Sequence, residues 1–338
     1  MIRRFLGEHG LDLGLVFVVL VWGASPTVFK FALSEVAPLT FVIMRFALLS
    51  VVAIVALLFH ARRHPTIRPF RIRRHDILPL IVSGLSGYGI YQLFYIEGLS
   101  RTTAFASALF GATVPLWSAF ILSALRIERI RTVQWVGIVI SLVGVAWFLL
   151  AAPKTGGAAT LDRALTPTSM VIGGLLSFIG AGLFSLYGVV NKRLATRFSP
   201  PELMCYTLLV GAITLAPFGI SSLISQDWSK VTWQYWVILP YSVFFPIYIT
   251  YSLWNWAISK RGVGYVTLYN YAVPVAGGIV AFFVLHEEIG AGQGLAALVV
   301  LGGLLLARWA ISRQRGESTP ATSTSGDRVG ELASEGVD

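Results

Sequence analysis

Residues Ala104–Ile130 read AFASALFGATVPLWSAFILSALRIERI, and residues Val263–Ile289 read VGYVTLYNYAVPVAGGIVAFFVLHEEI. Each is an apolar stretch of membrane-spanning length with one internal proline and a charged patch at its end. A single offset of 159 lays one on the other, with Val114-Pro115 on Val273-Pro274 and Glu128 on Glu287. The register continues without a gap, so that Ile130 falls on Ile289, Gln134 on Gln293 and Gly144 on Gly303. Shared apolar composition does not keep prolines, glutamates and glycines aligned across two helices. The match is therefore read as an internal duplication.

Working outward, 56% of the 338 residues are hydrophobic and only 12% charged, with a mean hydropathy of +0.74. A soluble chain of this length needs more polar surface than that. The apolar residues come in blocks of about 20, which at 1.5 Å per residue cross roughly 30 Å of hydrocarbon. The expected fold is an all-α polytopic membrane protein. Ten transmembrane spans are predicted near 13–33, 37–59, 77–98, 103–125, 131–150, 169–190, 201–224, 235–257, 263–285 and 291–311. Residues 1–12 form a cytoplasmic N-terminus, 13–150 and 169–311 the two five-helix repeats, 151–168 an external linker and 312–338 a disordered cytoplasmic tail. The first span lacks an A-x-A cleavage site and is read as retained. Cys205 is the sole cysteine, so no intrachain disulfide is possible.

The net charge of +10 is explained by topology rather than by nucleic acid. Of the 26 Lys and Arg residues, Arg101, Lys154, Arg163 and Lys230 fall in outer connections, and Lys30 and Arg45 within spans. The other 20 all lie in segments, or at the span ends bordering them, that are inside if the N-terminus is inside. Both termini are therefore expected in the cytoplasm. Five spans that start inside end outside, so the second copy must run the opposite way through the membrane. The first helices of the halves match at an offset of 162, with Trp22 on Phe184, Lys30 on Lys192 and Pro38 on Pro200. Inverted repeats are a common construction of secondary transporters, with solute bound near the midplane between the halves.

Two fivefold repeats, the early Trp22-Gly23, and a proline thirteen residues before a glutamate in the fourth and ninth spans resemble the EamA-type drug/metabolite transporter superfamily. The resemblance covers about 11–311, and within the superfamily the chain looks most like the YddG-type amino-acid exporters. It implies a bacterial inner-membrane location and export of small metabolites, with the fifth and tenth helices peripheral to a cavity lined by the first, third, fourth, sixth, eighth and ninth.

Polar groups in hydrocarbon face the bundle interior or a water-filled cavity. Tyr88, Tyr91, Gln92 and Tyr95 share one face of the third span, and Tyr248, Tyr251 and Asn255, with Trp254 alongside, do so in the eighth. Phe110 and Tyr269 match at the repeat offset, and Tyr269-Asn270 adds donors and acceptors. With Trp22 and Tyr187 these are the candidate substrate-binding residues. Aromatic rings hold apolar side chains and can hold an ammonium, while amides and phenols hydrogen-bond a zwitterion's ends. Interfacial anchoring belts are the alternative for Tyr95 and Asn255, which are nearer helix ends.

Pro115 and Pro274 are candidate hinges. Arg45 divides evenly between a substrate-related role and a structural pair, and Lys30 is expected to snorkel outward. Glu128 and Glu287 are expected to pair with nearby bases or cap helices. No acidic residue lies mid-span, which disfavours cationic-drug antiport and leaves facilitation or exchange open. The histidines are scattered, no P-loop is present, and no polar catalytic cluster appears. No cofactor, metal, nucleic acid or ATPase subunit is expected. The expected partners are a small-molecule substrate and the lipid bilayer. A transporter of amino acids and similar amphipathic metabolites by alternating access is the leading reading. A proton-coupled exporter of drugs or other metabolites, a non-transport membrane protein and an intramembrane enzyme are the alternatives.

Overall fold

The computed structural model of the chain describes residues 2–64, 70–127, 132–151, 159–160, 163–266 and 269–317. Among the described residues nine helices are long and apolar enough to cross a bilayer, and a shorter apolar helix stands ninth in chain order. They are α1 (Gly10–Glu35), α2 (Pro38–Arg63), α3 (Arg74–Arg101), α4 (Ala104–Ala124), α5 (Thr132–Leu150), α6 (Pro167–Leu194), α7 (Pro200–Ile224), α8 (Trp233–Ile258), α9 (Tyr269–Leu285) and α10 (Ala291–Trp309). In the α5–α6 connection, Ala159–Thr160 pairs antiparallel with Arg163–Ala164.

The chain reverses tightly because helix starts are specified locally. Pro38, Pro167 and Pro200 each sit in a first turn, where a missing N–H costs nothing. Thr166 accepts from the backbone N–H of Ser169 at 3.1 Å, and Glu202 reaches back to accept from that of Ser199 at 2.9 Å. Apolar side chains such as Val55, Leu150, Ile213, Phe283 and Leu298 stand more than half exposed on the outside of the bundle. On helices of this length, that surface belongs against hydrocarbon.

Packing repeats with the same offsets as the sequence. Helices α5 and α10 run antiparallel, with Gly137 against Gly303 and Ala307, and Gly144 against Ala296 and Val300. The first contact becomes the second when each residue is exchanged for its partner 159 positions away, so the pair matches itself. Small residues let the two backbones approach closely, and Ser141 Oγ donates across to Val300 O at 3.0 Å. Where α1 crosses α9, Gly23 lies on Gly277. The equivalent crossing of α6 and α4 brings Ser185 to Ser118, with the hydroxyls 2.7 Å apart.

Four spans are less regular than an unbroken helix. Leu85–Gly89 in α3 and Phe244–Ile249 in α8 are π-helical turns, and the 159 offset places one on the other. Neither is expected from the sequence. Helix α4 consists of Ala104–Gly111 and Val114–Ala124, and α9 of a 3-10 turn at Tyr269–Ala272 followed by Val273–Leu285. Pro115 and Pro274 thus occupy the first turn of a new helical segment instead of bending a continuous one. That placement needs no N–H from the ring nitrogen.

Lys30 departs from expectation. It is buried, 5% exposed, and donates to the carbonyl of Thr102 at the α3–α4 turn. Glu287, 3% exposed, accepts from the backbone N–H groups of Ala104 at 2.7 Å and Phe105 at 3.1 Å. It therefore caps α4 from the α9–α10 turn. Glu128, its match in the first repeat, lies outside the described residues.

Candidate functional site

The equivalent π-turns organise the centre of the bundle. In α8 the turn contains Pro246, which has no N–H. Its carbonyl, together with Thr250 Oγ1, accepts from the indole N–H of Trp22 at 3.1 and 2.8 Å. The indole of Trp22 lies 5.6 Å from the ring of Tyr251 and 5.1 Å from that of Trp254. Gly87 is the match of Pro246 in α3. A Cβ there would lie 2.3 Å from Cδ2 of Tyr187, so glycine is what admits that ring. Tyr187 and Tyr88 approach hydroxyl to hydroxyl at 3.2 Å. Phe184, the match of Trp22, lies 5.0 Å from Tyr91, which lies 5.8 Å from Tyr95. Such spacings suit edge-on and offset aromatic contact.

Between these groups lies Arg45 on α2, buried at 5% exposure. Its Nε and Nη2 both donate to the carbonyl of Ser242, at 3.2 and 3.0 Å, and its guanidinium stands 4.8 Å over the ring of Phe29. The α-helical donor for Ser242 O would be residue 246, a proline, so Arg45 supplies the hydrogen that the proline lacks. Tyr88, Tyr91, Tyr95 and Tyr251 are all within electrostatic reach of the guanidinium. No carboxylate pairs with Arg45 among the described residues. Tyr251 keeps 38% of its surface open while lying near Arg45, Tyr187 and Trp22.

The remaining sequence candidates divide. Gln92 is buried on α3, with its side-chain oxygen lacking a hydrogen-bond partner. Tyr248 packs toward the α2–α7 core, and its hydroxyl is likewise unpartnered. Phe110 does not join the Arg45 cluster. It is fully buried against Phe148 and Phe178, which leaves no surface for a solute. Tyr269 donates to Asp12 at 3.1 Å near the end of α1, with Asn270 half-buried beside it. The side chain of Asn255 lies outside the described residues. Sequence reasoning did not find Phe29, Phe184 or the Ser242 carbonyl. The one available signal was Pro246, which leaves the carbonyl four residues earlier without its helical donor.

At the α9–α10 turn, burial pushes the Glu287 carboxyl above its ordinary value, against the pull of the Ala104 N–H, Lys30 and the Phe105 N–H. Among the described residues no group of three or more His, Cys, Asp or Glu is placed to hold a metal ion. Two cavities lie away from the aromatic centre. One of about 400 Å³ is an apolar groove of α4, α9 and α10 lined by Phe105, Pro274 and Phe282. The other, about 420 Å³, is bounded by Glu97, Arg101 and Thr166. The first has almost no polar group and opens beside exposed Phe283, so it is lipid-facing surface. The polar and aromatic chemistry sits at Arg45.

A family model described as the EamA-like transporter family matches this chain twice, over residues 11–150 and 171–309. The uncharacterized transporter YyaM of Bacillus subtilis (strain 168) is 24% identical over 84% of this chain and 89% of its own length. A probable amino-acid metabolite efflux pump of Salmonella typhimurium is 25% identical over 86% of this chain and 92% of that protein. The uncharacterized inner membrane transporter YhbE of Escherichia coli (strain K12) is 29% identical over 65% of each chain. A solved crystal structure superposes with a TM-score of 0.55 at 22% identity, covering 88% of this chain and 96% of the other, which speaks to the fold alone.

Proposed function

Because the chain belongs to the EamA-like transporter family, a family of multi-pass membrane transporters of small metabolites, we propose that it moves amino acids and similar amphipathic metabolites across the bacterial inner membrane by alternating access. It does so as an exporter or facilitator. The chain crosses ten times in two inverted five-helix halves, with both termini in the cytoplasm. The observation that carries this reading is the convergence of aromatic side chains from both halves on one buried guanidinium: Trp22 and Tyr251 on one side, Tyr88, Tyr91, Tyr95 and Tyr187 on the other. The rings suit an apolar side chain, and the phenols, the guanidinium and the open acceptor of Gln92 suit charged ends.

The halves are not in the same arrangement. Lys30 is buried beside the Glu287 cap, whereas its match Lys192 is exposed. An asymmetry between equivalent positions is what alternating access requires, because one end closes while the other opens. The Salmonella relative's name supports amino-acid metabolites as cargo.

The test is uptake of labelled amino acids into liposomes containing only the purified protein, with no ion gradient. Saturable uptake of a subset, weakened by Gln92→Ala and Tyr251→Ala, is expected. Absence of amino-acid flux with and without a proton gradient would refute the reading. A proton-coupled version has one observation in its favour, the buried Glu287 carboxylate. Proton-dependent uptake that vanishes in Glu287→Gln would select it over facilitation.

A further inference from the structure

Among the described residues, Lys30 and Arg45 are the cations set more than one turn from the ends of their spans, and their surroundings differ. Lys30 has a carboxylate nearby in Glu287 and donates to Thr102. Arg45 has one backbone carbonyl and the face of Phe29. A guanidinium has five N–H donors in a planar fork. Two of them reach Ser242 O, and the other three meet no acceptor among the described residues. A charge at that depth is costly unless an anion joins it. Capping one carbonyl at the Pro246 turn does not require a permanent charge, since a neutral amide can donate there as well. The surrounding groups are phenols and rings, which tolerate an organic anion but do not neutralise the cation.

Resting on the amino-acid reading of the same site, we infer that Arg45 is the residue that selects the cargo by its carboxylate. The chain's substrates are then organic carboxylates carrying an apolar or aromatic body. The carboxylate takes the free side of the guanidinium fork, and the body lies among Trp22, Tyr91 and Tyr251. Amines, amides and organic cations of the same shape are rejected, because they leave the guanidinium unpaired. The set of accepted compounds is therefore fixed by charge first and by side-chain shape second.

The experiment compares ligands that differ only at the two ends: phenylalanine, phenylalaninamide, phenethylamine and 3-phenylpropionate. Binding is read as the rise in thermal unfolding midpoint of the purified full-length protein in detergent. The wild type should bind phenylalanine and 3-phenylpropionate, with roughly 10- to 100-fold weaker binding of the amide and amine, the range expected for one charge-assisted hydrogen-bond pair. Arg45→Lys should keep the preference at lower affinity, and Arg45→Gln should abolish it while remaining folded. Binding of 3-phenylpropionate without phenylalanine would uphold the role of Arg45 and refute amino acids as cargo. Equal binding of phenylalanine and its amide by the wild type would overturn the inference and leave the amino-acid reading standing. So would a preference that survives in Arg45→Gln, as a purely structural arginine requires. Binding of none of the four overturns it too, and the wild-type series decides the matter even if a variant fails to fold.

Discussion

Replacing Gly137 with alanine tests the self-matching α5–α10 pair on which the two halves meet. A Cβ at that position would lie 2.6 Å from both the backbone nitrogen of Ala307 and the carbonyl oxygen of Gly303. Carbon contacts settle near about 3.5–4.0 Å, so the helices must part by about 1 Å. The atoms in the way are backbone and have no rotamer to change. Overpacking of this kind costs about 1–3 kcal/mol. The separation also stretches the 3.0 Å bond from Ser141 to Val300, a type of contact that averages about 0.6 kcal/mol in membrane proteins. Gly303→Ala meets the same gap from the other side, at 2.6 Å from Gly137 O and 2.5 Å from Ser141 Oγ. Once one substitution has opened the gap the other costs less, so the double variant should fall short of additivity by at least about 0.5 kcal/mol. Gly302, the adjacent residue, has nothing within 4 Å of its added Cβ. Its alanine variant should be neutral or stabilising by up to about 1 kcal/mol. Reversible SDS unfolding of the purified protein in mixed micelles, followed by circular dichroism, measures all four. If Gly137→Ala proves no more destabilising than Gly302→Ala, or if the pair is additive, the antiparallel contact is wrong.

Three further outcomes follow from the same geometry. Gly87→Ala should displace Tyr187, lengthen its 3.2 Å contact with Tyr88 and cost about 1–3 kcal/mol; uptake should fall at least tenfold, and unchanged uptake would remove Tyr187 from the site. Pro246→Ala returns a backbone N–H opposite Ser242 O, so it should regularise the π-turn and loosen Trp22 from the Pro246 carbonyl. A red shift and faster acrylamide quenching of tryptophan fluorescence are expected, and an unaltered spectrum would detach the turn from the aromatic cluster. Burial holds the Glu287 carboxyl above the ordinary glutamate value of 4.5, so the protonated form is favoured more in the fold than in the unfolded chain. Its stabilising contribution is complete below about pH 4.5 and declines as pH rises through the shifted value. The wild-type unfolding midpoint should fall over that window relative to Glu287→Gln, and parallel curves would refute the shift.

Much of the architecture was readable from residues 104–130 and 263–289, because membrane helices announce themselves as apolar blocks and a duplication leaves register behind. The periodic placement of Tyr88, Tyr91, Gln92 and Tyr95 on one face was readable for the same reason, since 3.6-residue spacing is a local property. What the sequence could not carry were contacts between residues far apart in the chain. Snorkelling was the natural expectation for Lys30, yet a carbonyl 72 residues away and the Glu287 carboxylate hold it inside. Phe110 matches Tyr269 by offset, but the packing of Phe148 and Phe178 encloses it and leaves it no open surface. The π-turns at Leu85–Gly89 and Phe244–Ile249 shift the hydrogen-bond ladder by one residue. Pro246 removes the N–H that would close the ladder at Ser242 O, but Gly87 at the matching position removes none, so no shared local signal marks both turns. The partner of Arg45 is a carbonyl 197 residues away. By itself the sequence determined that the chain spans the membrane repeatedly as two related halves, because hydropathy and register are sums over neighbours along the chain. Only the tertiary structure decided that a guanidinium with no carboxylate beside it among the described residues stands between the aromatic groups of the two halves, because pairing of a buried charge depends on which distant helices surround it.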